Sequence, residues 1–306
     1  MGDDRLSPMT DPEANPPRVF RGKRLVLEEA GTYWDLSAHL ERHGQPTDLV
    51  DLFEVGWFEG ASLRAVLPSA APSRWQPLDD DEAAALRTAP GLPIDPKSVG
   101  KILALGKNFR AHAEEFGEEV PTDPLYFNKL PETLVSSGSV VSPPPGYEGR
   151  LDHEAELAVV IGLGGQDIAA EDALEHVAGY TVANDLTLRS LQGDDRGEGR
   201  PWFRSKNFDG ACPLGPCFVP RDFLDAGALR LTCHVNGELR QDASTADWVV
   251  GLPQAVALLS RHISLHPGDL ILTGTPAGVG PLADGDRVVC AAAGIGELET
   301  RIARTP

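Results

Sequence analysis

Two glutamates one residue apart, Glu154 and Glu156, open the stretch with the clearest chemical potential, Leu151-Asp152-His153-Glu154-Ala155-Glu156-Leu157-Ala158-Val159-Val160-Ile161-Gly162. Its apolar, β-branched second half reads as a buried strand. Side chains alternate faces along a strand, so both carboxylates point the same way, roughly 7 Å apart along it at about 3.3 Å per residue. Like charges held together beside apolar surface repel and are costly to desolvate. A divalent cation removes both difficulties, although a bare E-x-E pattern also suits a solvated acidic strand edge. Further on, Gly179–Thr187 repeats the arrangement, with Asp185 at the polar end of a β-favouring run. Between the two, Glu171–Val177 has helical spacing, giving the order strand, helix, strand, a connection that can bring the two strand ends together. Three carboxylates without a cysteine or well-placed histidine make a hard, all-oxygen site, suited to Mg²⁺ or Mn²⁺ rather than zinc. Three protein ligands leave octahedral positions for water or substrate.

A second group lies upstream. His112 and Glu115 are spaced i, i+3 on a short predicted helix between Gly106 and Gly117, so imidazole and carboxylate can touch. A carboxylate orients a histidine and raises its basicity, as a water-activating base requires, though a surface ion pair has the same spacing. The loop Thr273-Gly274-Thr275-Pro276-Ala277-Gly278-Val279-Gly280 offers backbone N–H groups to an anion but lacks the spacing of a nucleotide loop. His39 and His43 share a helix face without a third ligand nearby and read as surface histidines. Cys212, Cys217, Cys233 and Cys290 form no C-x-x-C pair and no disulfide framework, which fits a reduced, cytoplasmic setting.

The elements that must position these groups fall into two parts. Residues 1–17 are polar and proline-rich and read as a disordered terminus. Residues 18–95 read as a small N-terminal domain: a strand at Arg18–Leu27, helices at Trp34–Arg42 and Asp48–Val55, a strand at Leu63–Leu67 and a helix start at Asp79–Glu82. Ala89–Pro96 is a linker by composition. From 98 to 306 we expect a strand ending at Gly106, Asn108 as the N-cap of the His112 helix, and a strand at Pro124–Lys129. A charge-rich covering loop at Gly193–Arg200 and a tight turn at Cys212–Cys217 should follow. Next come a hairpin turning at Asn236-Gly237, a helix over Trp248–His262, and strands at Gly268–Leu272, Asp286–Ala292 and Gly296–Ile302.

The 306 residues are 41% hydrophobic, enough for a substantial core, with no run long enough to span a membrane and no signal-peptide pattern. The formal net charge of −19 argues against nucleic acid or anionic membranes as partners, and it sets a problem if a substrate molecule is anionic. Cations must then be placed locally. Only 6 lysines are present among 27 basic residues, and Lys107, Lys129 and Lys206 all fall within the motifs below.

Taken together, GKNFRAHAEE, YFNK, DHEAELAVVIG, GYTVANDLTLRSLQ, RSKNFD, CPLGP, VNGELRQ and GDLILTGTPAGVG resemble, in order, the fumarylacetoacetate hydrolase family over roughly Lys101 to Ile302. The resemblance is to its acylpyruvase and 2-hydroxyhepta-2,4-diene-1,7-dioate isomerase-like branch. It implies a β-rich α+β fold with a small N-terminal domain, assembled as a homodimer. It makes Glu154, Glu156 and Asp185 the metal ligands for Mg²⁺ or Mn²⁺, His112 and Glu115 a water-activating lid pair, and Lys206 the lysine beside the metal. Thr275 matches a position that contacts substrate carboxylate, and Lys129, Arg189 and Gln192 join it as expected substrate-binding residues. Ser190 stands where the family has aspartate, and Phe109 where tyrosine is common. The implied activity is Mg²⁺-dependent hydrolysis of a carbon–carbon bond in a small 2,4-dioxo acid. Alternatives are decarboxylation or isomerisation of an unsaturated oxo-diacid, oxaloacetate decarboxylation, or a metal-binding protein without catalysis.

Overall fold

Ala155–Ile161 is a strand in which all 7 side chains are buried, and its two faces meet different partners. Leu157, Val159 and Ile161 enter one apolar core with Leu231, Val288 and Leu298, while Ala158 and Val160 enter a second with Leu36, Leu40, Leu52 and Phe218. The period of two thus sorts one strand between two cores, which explains a continuous apolar run where a half-exposed strand would alternate. The computed structural model describes residues 15–58, 63–64, 66–70, 72–115 and 124–304.

The chain opens with β1 (Arg18–Arg21), β2 (Leu25–Glu29) and β3 (Thr32–Asp35), then helices Leu36–Arg42, Leu49–Glu54 and Asp80–Thr88. Next come β4 (Ile102–Gly106), the helix Arg110–Glu115, β5 (Leu125–Lys129), β6 (Leu134–Ser136) and β7 (Ser139–Val141). The central portion holds β8 (Leu151–Asp152), β9 (Ala155–Ile161), β10 (Val177–Asn184) and β11 (Thr187–Leu188), followed by helices Arg189–Gly197 and Phe203–Lys206. The remainder comprises β12 (Cys212–Pro220), β13 (Arg230–Val235), β14 (Glu238–Ser244), helix Leu252–His262, β15 (Leu270–Leu272), β16 (Arg287–Ala292) and β17 (Gly296–Ile302).

A 10-stranded mixed sheet runs β3-β2-β1-β12-β10-β9-β15-β4-β5, with β6 added parallel to β12. A 5-stranded sheet, β14-β13-β16-β17-β7, packs across the face of β9 bearing Leu157 and Val159. The opposite face is covered by the helices that follow β3. The fold is α+β, as expected, and the strands outnumber and outweigh the helices.

Several local expectations give way. Arg18–Leu27 is not one strand but a hairpin turning at Gly22, with Arg21 facing Leu25. Trp34 belongs to β3, and the helix begins after Asp35, whose carboxylate caps Ala38 N–H. Leu63, Arg64 and Val66 are helical rather than extended. His39 is buried rather than at the surface, stacked at 4.1 Å on Trp75. Asn108 caps no helix: its amide bonds Thr273 O and Val250 O and accepts from Val250 N–H, tying three loops together. The helix expected over Glu171–Val177 reduces to a 3-10 turn at Ala173–His176, and β9 and β10 run antiparallel as direct neighbours. Gly193–Arg200 is mostly helix, held by the buried Asp195 carboxylate accepting from Arg204. Cys212–Cys217 lies in β12, not a turn; Pro216 falls where the pairing with β10 shifts register between Gly215 and Val219. The helix over 248–262 starts only at Leu252. The Asn236-Gly237 turn is as read, with both residues at positive φ (53° and 86°). The terminus read from residues 1–17 lies, as far as residue 14, outside the described residues, as does the expected helix end at Gly117.

Candidate active site

The acids converge because three strands end together. In the β9–β10 ladder Glu156 faces Ala183 and Ala155 faces Asn184, and Asp185 N–H donates to Glu154 O at 2.8 Å just beyond. On the other side of β9, Gly274 N–H, past the end of β15, donates to Glu156 Oε2 at 2.6 Å. Glu154 itself sits in the break between β8 and β9, where its N–H donates to the Asn184 side chain at 3.0 Å. One carboxylate oxygen from each of Glu154, Glu156 and Asp185 lies within 4.8 Å of the others, and all three residues are buried.

Cations are shared unequally among them. Lys206 Nζ donates to Glu154 Oε2 at 2.7 Å and Asp185 Oδ2 at 2.5 Å. Lys129 Nζ donates to Lys206 O and lies 2.8 Å from Asp185 Oδ1, an ion pair without hydrogen-bond alignment. Arg189 reaches Glu154 with one arm, Asp152 with its Nε at 2.8 Å and Gln192 Oε1 at 2.6 Å. Burial alone would raise the Glu154 carboxyl, but Lys206 and Arg189 hold it well below the usual carboxylate range. Burial pushes Glu156 the other way, well up, and the charges of Asp185 and Glu154 add to it. The Lys206 ammonium keeps its proton more tightly than an ordinary lysine: burial opposes this, and Asp185 and Glu154 outweigh it. One carboxylate in a buried oxygen cluster thus lacks a counter-charge, which is where a divalent cation fits.

The cluster floors a cavity of about 240 Å³ walled by His112, Phe127, Arg189, Gln192, Trp202 and Thr275, with Lys107 and Arg196 beside them. His112, 7% exposed, has its Nδ1 at 3.3 Å from Glu115 Oε2. Glu115 is itself latched: Gly278 N–H donates to both of its oxygens, at 3.1 and 3.2 Å. Burial would raise this carboxyl, yet the His112 and Gly278 hydrogen bonds lower it overall. The glycine-rich loop therefore does present N–H groups to anions, and these are the chain's own Glu156 and Glu115. Gly278 is required for the approach: its φ is +100° and a Cβ would lie 1.9 Å from Arg240 O.

The structure brings together Glu154, Glu156, Asp185, His112, Glu115, Lys206, Arg189, Gln192 and Thr275. Lys129 stands one step back, on Asp185, and does not line the cavity. Asp152, Arg196 and Gln241 were given no role by the sequence, and Lys107 was read only as one of the locally placed cations. Asp152, fully buried, pairs with both Arg150 and Arg189. Lys107 adopts a positive φ of 57°, and Arg196 lies in the helix read as a loop. Gln241 ties strand to loop. Asp152 and Gln241 were inside recognised motifs, the only signal that could have drawn notice to them.

The fumarylacetoacetate (FAA) hydrolase C-terminal family matches residues 101–303. This chain belongs to the fumarylacetoacetate hydrolase family. It is 39% identical over 217 residues to the oxaloacetate tautomerase YisK of Bacillus subtilis, covering 68% of this chain and 71% of the relative. A fumarylpyruvate hydrolase from Pseudomonas aeruginosa, solved in complex with Mn²⁺ and pyruvate, superposes with a TM-score of 0.64 at 37% identity over 68% of this chain and 91% of that one. A 5-carboxymethyl-2-hydroxymuconate delta-isomerase from Mycobacterium smegmatis covers 95% of this chain and 99% of its own, with a TM-score of 0.69 at 30% identity. Relatives of this family are enzymes; hydrolases, isomerases and tautomerases occur among them. Among the described residues no helix is long and apolar enough to cross a membrane.

Proposed function

We propose that the chain is a divalent-metal-dependent enzyme that hydrolyses a carbon–carbon bond in a small 2,4-dioxo acid of the acylpyruvate type. The observation behind it is the His112–Glu115 pair at the wall of a cavity floored by three buried carboxylates. Mg²⁺ or Mn²⁺ held by Glu154, Glu156 and Asp185 would polarise a 2-oxo acid as a Lewis acid. His112, oriented by Glu115, takes the proton of the attacking water and returns it to the departing carbon. The Lys206 ammonium, at the cavity floor, stabilises negative charge that grows on the substrate oxygen. Arg189 and Gln192 hold the acid in place from the side wall.

A second reading is tautomerisation or decarboxylation of an oxo-diacid such as oxaloacetate, supported by the tautomerase relative and by Lys107. Burial lowers the Lys107 ammonium, and the nearby Arg196 lowers it further, so two cations crowd one wall. A second substrate carboxylate would meet positive charge there. Incubation with Mg²⁺ and a panel of acylpyruvates beside enol-oxaloacetate separates the two. Turnover of acylpyruvates to pyruvate and a free acid supports hydrolysis; loss of the enol absorbance of oxaloacetate alone, with no acylpyruvate cleaved, overturns it.

A further inference from the structure

The side chain of Gln241, on β14, is wholly buried between the strand that carries the metal ligands and the loop that carries Thr275. Two backbone groups fix which way its amide faces. Ala155 N–H can only donate, and it meets Oε1 at 3.1 Å; Pro276 O can only accept, and it meets Nε2 at 2.8 Å. The oxygen also lies 3.2 Å from His153 Nδ1. The second N–H of the amide therefore points at Thr275 Oγ1, at 2.8 Å. In that bond the hydroxyl oxygen accepts, so its single proton must be aimed elsewhere. Thr275 is a cavity wall residue, so the cavity is where that proton can be aimed. The same loop also packs closely on the strand one residue away, where Gly278 lies against Arg240 O.

We propose that Gln241 is a positioning residue that holds the Thr275 hydroxyl as a proton donor into the cavity, aimed at an anionic oxygen of the bound oxo acid. This rests on the reading that the cavity takes such an acid beside the metal. An amide at this position sets the direction of one hydroxyl, and a residue that never touches the ligand thereby tunes its affinity.

The test is a double-mutant cycle read by calorimetry, with oxalate titrated into the Mn²⁺-loaded full chain. Gln241→Met removes the amide at similar volume and should weaken oxalate about 10- to 100-fold, the worth of a hydrogen bond to a charged group. Mn²⁺ affinity, measured separately, should stay within about twofold, since hydrogen bonds to the ligand strand remain through Asn184 and Gly274. Thr275→Val should weaken oxalate similarly, and Gln241→Met/Thr275→Val should be no weaker than Thr275→Val alone. A merely structural role for Gln241 would instead add its loss in both backgrounds, and that additivity overturns the proposal. Wild-type oxalate affinity in Gln241→Met, with Thr275→Val impaired, overturns it as well. If Thr275→Val itself binds oxalate normally, the placement of the oxo acid is wrong and the proposal falls with it. Should Gln241→Met fail to fold, Gln241→Glu, which keeps an oxygen for Ala155 N–H, is read through the same cycle.

Discussion

Glu154 and Glu156 are next-but-one neighbours on the chain and meet opposite electrostatic fates. Glu154 is gripped by Lys206 and Arg189, whereas Glu156 receives one backbone N–H, from Gly274. Under the proposed function, this asymmetry makes Glu156 the acid whose charge a bound metal would most directly balance.

Replacing Glu156 by Gln should abolish metal-dependent turnover and yet stabilise the metal-free protein at neutral pH. The sign follows from linkage. A carboxyl raised in the folded state above its ordinary 4.5 holds a proton that the unfolded chain releases, so its effect on stability turns unfavourable as pH climbs above that value. Melting curves in chelator from pH 5 to 8 should show the Glu156→Gln variant gaining on wild type as pH rises. Parallel curves would refute this account of the site.

Chelation should stop turnover, and Mn²⁺ or Mg²⁺ should restore it. At a metal concentration 100 times Kd the wild type should gain about 2.7 kcal/mol of stability, while Glu156→Gln gains far less under the same conditions. Thermal shift against metal concentration measures both; an unaltered melting temperature in wild type would mean that the three acids hold no ion.

His112→Ala should lower kcat by about 10²- to 10⁴-fold, the usual contribution of a general base, with metal affinity near the wild-type value. Steady-state rates on the preferred acid and Mn²⁺ titration report the two halves. Loss of metal affinity in parallel would show that the histidine supports the ligands instead.

The helix Arg110–Glu115 is attached to the glycine-rich loop through Glu115 and to Trp248 through the bridge at Phe109. Saturating oxalate with Mg²⁺ should slow hydrogen exchange across residues 107–115, because closure excludes water from the site. The same exchange with and without oxalate would mean that this helix is no lid.

Gly278→Ala should cost most of the activity, since the added methyl meets Arg240 O at 1.9 Å and the residue would have to hold a φ of +100°. The loop must shift, releasing Glu115 and disturbing Thr275. Circular dichroism should remain native while kcat/KM falls; full activity in this variant would show the loop to be dispensable.

The buried acidic cluster was legible because acids at the ends of apolar strands conflict with their surroundings, and such conflicts are visible in a single sequence. Motif order supplied the rest of the set and the family. The path of the chain between motifs was harder to read. Glycine and charge at 193–200 suggested a loop, but the buried Asp195 and its Arg204 partner are a tertiary pairing that overrides local preference. Prolines at 213 and 216 argued against a strand, yet Pro216 falls where β12 bulges against β10 and Pro213 lies in the parallel pairing with β6. Gln241 and Arg196 were invisible as site residues because their importance lies in where the fold sends their side chains.

The pairing of Val19 with Phe218 joins the first hairpin to the edge of β12, and Phe53 and Phe58 cover the Phe218 ring at 5.4 and 5.3 Å. The segment 101–303 on its own would therefore present a bare strand edge flanked by exposed aromatic and aliphatic side chains, the combination that drives self-association into precipitates. Removing residues 1–97 should yield insoluble protein rather than a smaller enzyme, and recovery of a clear, active truncated chain at micromolar concentration would contradict that. On that outcome the N-terminal portion would act as an obligate solubility partner of the segment that carries the candidate site.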